Sequence, residues 1–103
     1  MTSYSSFEDF SAAVKNSPAP PANLDPRLRA LWLGRREEGW DAAHDIVNDL
    51  GSRDGDAIHA WLHLIEGDIG NAGYWFHRAR LPETRPEEAD KLWETLVRRC
   101  GGW

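Results

Sequence analysis

Two histidines and a glutamate stand at helical spacing in the segment from Asp56 to Arg80. His59, His63 and Glu66 are four and three residues apart, so one side of an α-helix would carry all three. Imidazole and carboxylate groups are ligands of zinc and similar divalent ions. We therefore take His59, His63 and Glu66 as candidate metal ligands. The sequence otherwise predicts no cofactor, and zinc or a similar divalent metal is the alternative.

His44 lies on the preceding predicted helix and could approach this strip as a further ligand. The opposing interpretation is structural, because a polar strip on an otherwise buried helix is either solvated or hydrogen-bonded to its neighbours. Two histidines at this spacing lack the closing ligands of a strong zinc signature. A zinc-protease motif is excluded, because Ala60 follows His59 where that motif needs a glutamate as general base.

A second polar stripe follows on the next predicted helix. Asn71, Tyr74 and Arg78 stand three and four residues apart and offer donors, an acceptor and a positive charge. Such a set could bind the carboxylate of a ligand or peptide. The alternative is an exposed face on which Arg78 lies over the ring of Tyr74 or Trp75. All seven polar residues of the two stripes are thus candidate ligand-binding residues: His44, His59, His63, Glu66, Asn71, Tyr74 and Arg78.

Composition excludes several classes of protein. The chain has 103 residues, which is enough for one core and too short for two. Its 17 acidic and 12 basic residues give a net charge of −5, which argues against a nucleic-acid partner. No apolar run approaches the roughly 20 residues that a membrane span needs, so no membrane association is expected. The single cysteine, Cys100, and the absence of a secretion signal favour the reducing cytoplasm.

Apolar residues recur at the helical period along the whole chain and predict an all-α protein. The six predicted helices run over about 7–15, 25–38, 40–50, 54 or 56 to 66, 70–80 and 86–100. An aspartate is expected to cap the fourth helix. We expect residues 1–24 to form an amphipathic helix and a proline-rich linker that dock on a core formed by residues 25–103. Phe7, Phe10 and Val14 form the apolar face of that first helix.

The two central hairpins are related by a weak internal repeat. At an offset of 29 residues, Trp32 aligns with Trp61 and Leu33 with Leu62, and two further positions of the second helices also align. The shared order of helix, glycine turn and alanine-led helix is what a structural repeat predicts.

The second hairpin resembles the tetratricopeptide repeat, with Gly67, Ala72, Phe76 and Ala79 at that family's intervals. The resemblance implies antiparallel helical hairpins stacked as a short array, with about five core helices and a short N-terminal helix. The first helix of the hairpin departs from the pattern, because histidines replace large apolar residues there. Segments such as GWDAAH also resemble a group of small uncharacterised bacterial proteins, which implies a fold and no activity.

Three functions fit these observations. The first is a small helical-repeat binding module that holds a protein or peptide partner, as stacked hairpins do. The alternative is a metal- or small-ligand-binding protein, or an enzyme without a known motif, that uses His44, His59, His63 and Glu66. The third is a structural subunit of an oligomer, for which an exposed Trp103 is the only indication. We find no catalytic motif and expect a protein that is not an enzyme, with its oligomeric state left open.

Overall fold

The computed structural model describes residues 4–103, which include six α-helices and no strand. The helices are α1 (Phe7–Asn16), α2 (Pro26–Gly34), α3 (Trp40–Leu50), α4 (Arg53–Glu66), α5 (Ile69–Arg78) and α6 (Ala89–Gly101). Short 3-10 turns at Glu37–Gly39 and Pro86–Glu88 precede α3 and α6. The predicted all-α fold is therefore confirmed, whereas the tetratricopeptide-like stacking of hairpins stays a prediction. In the described part of the chain no helix is long and apolar enough to cross a membrane.

Side-chain caps explain where α2 and α4 begin. Asp25 caps α2 with Pro26 at the first helical position, as the sequence predicts. Helix α4 is capped by Ser52, whose hydroxyl accepts a hydrogen bond from the backbone N–H of Gly55 at 3.0 Å. The predicted aspartate cap of α4 is therefore wrong. Asp54 instead forms ion pairs with arginines of α2 and α6, and these contacts are not visible from local sequence.

Some predicted helix ends also move by a few residues. Helix α2 ends at Gly34 and not near residue 38. A Cβ atom at Gly34 would lie 2.6 Å from Leu62 Cδ2, so only glycine lets α2 approach α4 this closely. Helix α5 ends at Arg78, and Arg80 follows in the left-handed region with φ of 59°. The order of the elements is unaffected by these shifts.

Helix α4 lies at the centre of the molecule and contacts α2, α3, α5 and α6. Every residue from 57 to 64 is buried. Ile65, in the last turn of α4, lies beyond this buried stretch and is 39% exposed. The centre of the core is therefore one helix with almost no solvent face.

The N-terminal helix α1 packs against α6. Phe10 is fully buried, and its ring centroid lies 6.1 Å from that of Trp93 and 5.9 Å from that of Trp103. Trp103 is half-buried in this contact and is not the exposed tryptophan that the sequence suggested. Residues 1–3 of the predicted N-terminal segment lie outside the described residues. The division into 1–24 and 25–103 stays a prediction.

We predict that Phe10→Ala lowers the free energy of unfolding by about 3–5 kcal/mol, because it removes a fully buried ring. Lys15→Ala, on the exposed side of α1, should change it by less than about 0.5 kcal/mol. Urea unfolding measures both values, and hydrogen exchange should show protected amides from Phe7 to Val14. Equal stabilities for the two variants, or exchange as fast as in a free peptide, would mean that α1 is a loose tail.

Candidate metal centre

Three histidines from two helices converge beside the core. His44 lies on α3, and His59 and His63 lie one turn apart on α4. The Nε2 atoms of His44 and His59 are 2.9 Å apart, and the ring centroids of His44 and His63 are 5.2 Å apart. One ring nitrogen from each histidine lies within 4.8 Å of the other two. His59 and His63 are buried, whereas His44 is partly exposed and links the cluster to the surface.

The register of one helical hairpin brings these rings together. Helices α3 and α4 are joined by a two-residue turn, in which Gly51 adopts a left-handed φ of 56° that suits glycine. His44 lies seven residues before Gly51, and His59 lies eight residues after it. At about 1.5 Å of helical rise per residue the two side chains are at nearly the same distance from the turn. The predicted approach of His44 to His59 thus follows from the connection.

Glu66 contacts the cluster through His63. Its Oε2 atom lies 2.6 Å from Nδ1 of His63, at a spacing of three residues on α4. A carboxylate accepts a hydrogen bond from Nδ1–H, and a neutral ring with its hydrogen on Nδ1 has its lone pair on Nε2. His63, Glu66 and Asp68 form a second group whose possible metal-ligand atoms lie within 4.8 Å of one another, and both of its carboxylates are exposed. Of the predicted set His59, His63 and Glu66, the glutamate is thus placed to orient a histidine.

Two tryptophans enclose the histidines. The Trp75 ring stacks on His59 at 3.8 Å with 10° between the planes, and the Trp40 ring stacks on His44 at 5.0 Å with 14°. The indole N–H of Trp40 donates to the carbonyl of Leu62 at 2.8 Å, which fixes its ring. Neither tryptophan is among the site residues predicted from the sequence. Trp40 stands four residues before His44 and could have been found from that spacing, whereas the position of Trp75 depends on how α5 packs.

The electrostatic environment keeps His59 uncharged. The pKa of His59 is lowered to about 4, mainly by burial and in smaller part by the neighbouring His44, His63 and Arg78. Removing a cation from water is costly, and positive neighbours add to that cost. His59 is therefore a neutral imidazole near neutral pH, which is the form that binds metal ions.

The second predicted stripe is only partly brought together. The Arg78 guanidinium lies 3.3 Å from the Tyr74 hydroxyl and sits over the Trp75 ring at 5.1 Å. Arg78 also approaches a carboxylate oxygen of Asp56 at 3.7 Å. The Asn71 side chain is directed toward Asp68, at 3.4 Å, and joins neither. Tyr74 and Arg78 thus form an exposed contact with Trp75. This is the geometry of the alternative interpretation, in which Arg78 lies over an aromatic ring on an exposed face.

We predict that the metal-free protein loses stability as the pH falls from about 6.5 toward 4. Burial lowers the pKa of His59 to about 4, so over this window the unfolded chain takes up a proton that the folded protein excludes. Stability linked to His59 is present above about pH 6.5 and is lost on acidification, by up to about 3 kcal/mol.

Urea unfolding at several pH values, with a chelator present, measures this loss. His59→Gln should show a shallower pH dependence than the wild type, and His77→Gln, on the exposed side of α5, should follow the wild type. Three parallel curves would show that His59 is not held neutral by burial.

Comparison with protein-family models, with curated proteins and with solved structures finds no match to this chain. The resemblance to the tetratricopeptide repeat is therefore neither supported nor opposed by a relative.

Proposed function

We propose that this protein binds a divalent transition-metal ion, zinc or one of similar ligand preference, through His44, His59 and His63. The observation that carries the proposal is the convergence of three ring nitrogens within 4.8 Å of one another. Nitrogens bound to one tetrahedral zinc ion at about 2.0–2.1 Å lie about 3.3 Å apart. This value lies between the 2.9 Å that separates the Nε2 atoms of His44 and His59 and the 4.8 Å within which all three nitrogens lie. Small side-chain rotations would therefore bring the three nitrogens to the spacing that zinc requires.

The surroundings of the three rings support the same proposal. Histidine ligands are commonly oriented by a partner that accepts the other ring N–H, and Glu66 stands in this position for His63. The side-chain amide of Asn48 lies 3.3 Å from Nδ1 of His44. The atom at this distance is the amide nitrogen, a donor, and a half-turn of the amide would place its oxygen there to accept from Nδ1–H when Nε2 binds a metal. Two of the three histidines thus have a partner suited to orient them.

Three protein ligands leave one position of a tetrahedral ion for water or a small ligand. His44 is the only partly exposed ring of the three, so this position would be reached from the side of α3. The stacked rings of Trp40 and Trp75 restrict movement of His44 and His59. The proposed site therefore holds its ion on ordered ligands and keeps one exchangeable position.

We predict that the metal-free protein binds one zinc ion per chain in calorimetric titration. The double variant His59→Ala, His63→Ala should lose this binding, and His77→Ala, which lacks a histidine outside the cluster, should keep it. Zinc at about one hundred times the dissociation constant should raise the free energy of unfolding by about 2.7 kcal/mol. Equal, weak uptake by wild type and double variant would overturn the proposal.

The same titration tests the role of Glu66. Its replacement by alanine should weaken zinc binding by about 10–100-fold, the usual effect of losing a group that orients a ligand. Glu87→Ala, an exposed glutamate of the turn before α6, is the matched control and should bind as the wild type does. Unchanged affinity in Glu66→Ala would show that the 2.6 Å contact with His63 does not contribute to the site.

A second candidate function is partner binding by the α4–α5 hairpin. Three large apolar side chains are exposed among the described residues, and all three lie on this hairpin: Ile65 at 39%, Ile69 at 46% and Tyr74 at 54%. Exposed apolar side chains that cluster on one element are typical of interaction surfaces. This observation supports an interaction function, either as the helical-repeat binding module or as a subunit of an oligomer.

We predict that this hairpin supports association of the chain with itself or with a protein partner. The double variant Ile65→Ser, Ile69→Ser should reduce concentration-dependent association in sedimentation velocity, because it removes two exposed apolar groups. Leu81→Ser, at a half-buried position after α5, is the control for general loss of packing. This function would be rejected if wild type and double variant sediment identically at all concentrations and are cross-linked to the same partners.

A further inference from the structure

A cavity of about 130 Å³ lies between α4, α6 and the segment that follows α5, and no histidine of the candidate metal centre lines it. Its lining residues are Arg53, Asp54, Ala57, Leu81, Leu92, Thr95, Leu96 and Arg99. The cavity is therefore a second feature of the molecule, independent of the metal proposal.

The interior of this cavity is apolar. Four of the lining side chains are hydrocarbon: Ala57, Leu81, Leu92 and Leu96. An engineered cavity of about 150 Å³ with such a lining stays dry and binds benzene. A cavity of about 130 Å³ thus matches an apolar group of about five or six carbons.

The charged residues at this cavity are unevenly paired. Nε of Arg53 donates to the carbonyl of Ala79 at 2.7 Å, and a second nitrogen lies 3.5 Å from the carbonyl of Arg80. These acceptors are neutral, and within residues 4–103 no carboxylate pairs with Arg53 at 4.0 Å or less. A guanidinium has five N–H donors, so Arg53 keeps several for a further acceptor.

Asp54 does not neutralise the charge of Arg53, because it already forms ion pairs with two other arginines. One oxygen lies 2.7 Å from Arg99 and the other lies 2.7 Å from Arg27. Arg27 also pairs with Asp25 at 3.1 Å. Three guanidinium groups, with Arg53 included, thus meet two carboxylates, which leaves one positive charge here in a chain of net charge −5.

We propose that this cavity binds a small apolar carboxylate, with a hydrocarbon tail of about five or six carbons among the leucines and its carboxylate at Arg53 and Arg99. Arginine matches the two oxygens of a carboxylate with parallel N–H donors. The apolar volume selects the tail, and the uncompensated guanidinium selects an anion over a neutral molecule. Arg53 is held by backbone carbonyls, whereas the Arg99 side chain is 59% exposed and can adjust to the ligand.

The test is a titration of the whole protein with 4-methylpentanoate, followed by amide chemical shifts in nuclear magnetic resonance spectra. Saturable shifts should occur in α4, α6 and around Leu81. The neutral 4-methylpentanamide should bind about tenfold more weakly, because it lacks the charge-assisted contacts. Acetate, which lacks the tail, should also bind about tenfold more weakly. Equal binding of acid and amide, or no saturation, would overturn the proposal.

Variants locate the binding. Arg99→Gln should weaken 4-methylpentanoate binding by about tenfold. Thr95→Phe, at an exposed position that lines the cavity, should fill it and abolish binding. Arg85→Gln, which removes an exposed arginine paired with Glu87, should bind as the wild type does. Unchanged affinity in both Arg99→Gln and Thr95→Phe would place the ligand elsewhere and reject the site.

Two further results separate this proposal from its alternatives. The double variant His59→Ala, His63→Ala should bind 4-methylpentanoate normally, so loss of metal binding leaves this site intact. A peptide ending in leucine that binds more than tenfold tighter than 4-methylpentanoate would assign the cavity to a protein terminus and overturn the small-molecule assignment.

Discussion

The enclosure of α4 by four other helices is the constraint on which the rest of the structure depends. A helix that is buried over residues 57–64 has no water with which to satisfy a polar side chain. His59 and His63 therefore need partners inside the protein. They find them in His44 of α3 and in Glu66 at the end of α4 itself. The histidine cluster is thus a consequence of placing imidazoles on the central helix of a packed core.

The tryptophans show how tightly this core is packed. Trp40 and Trp93 donate their indole N–H groups to backbone carbonyls, but those of Trp32 and Trp61 have no acceptor among the described residues. An unpaired buried donor costs about 1–3 kcal/mol, which the burial of a large ring offsets. Trp32 and Trp61 are the two residues that the 29-residue offset aligns. In both hairpins the tryptophan at this position fills space in the core. The Trp61 ring packs so closely against Gly34 that a Cβ atom there would not fit.

Features with a periodic signal within one helix could be predicted from the sequence. Six amphipathic patterns predicted six helices, and the spacing of His59, His63 and Glu66 predicted their common strip. Features that depend on contacts between distant segments of the chain could not be predicted. Ser52 rather than an aspartate caps α4 because Asp54 is recruited by arginines of other helices, and the cavity between α4 and α6 depends on segments about forty residues apart. No local pattern encodes either.

Two different interactions fix the two halves of α4. At its N-terminal end, Arg27 and Arg99 hold Asp54 between α2 and α6, so charge sets the position of the helix there. Toward its C-terminal end, the stacked rings of His59, His63 and Trp75 do so. Asp54 and His59 are five residues apart, which is about 7.5 Å along the axis. Over that distance the environment changes from partly exposed ion pairs to a cluster of aromatic rings around the buried His59. The first setting favours an anion and the second a metal ion, so one rigid helix can carry both proposed sites without either ligand competing for the other's residues.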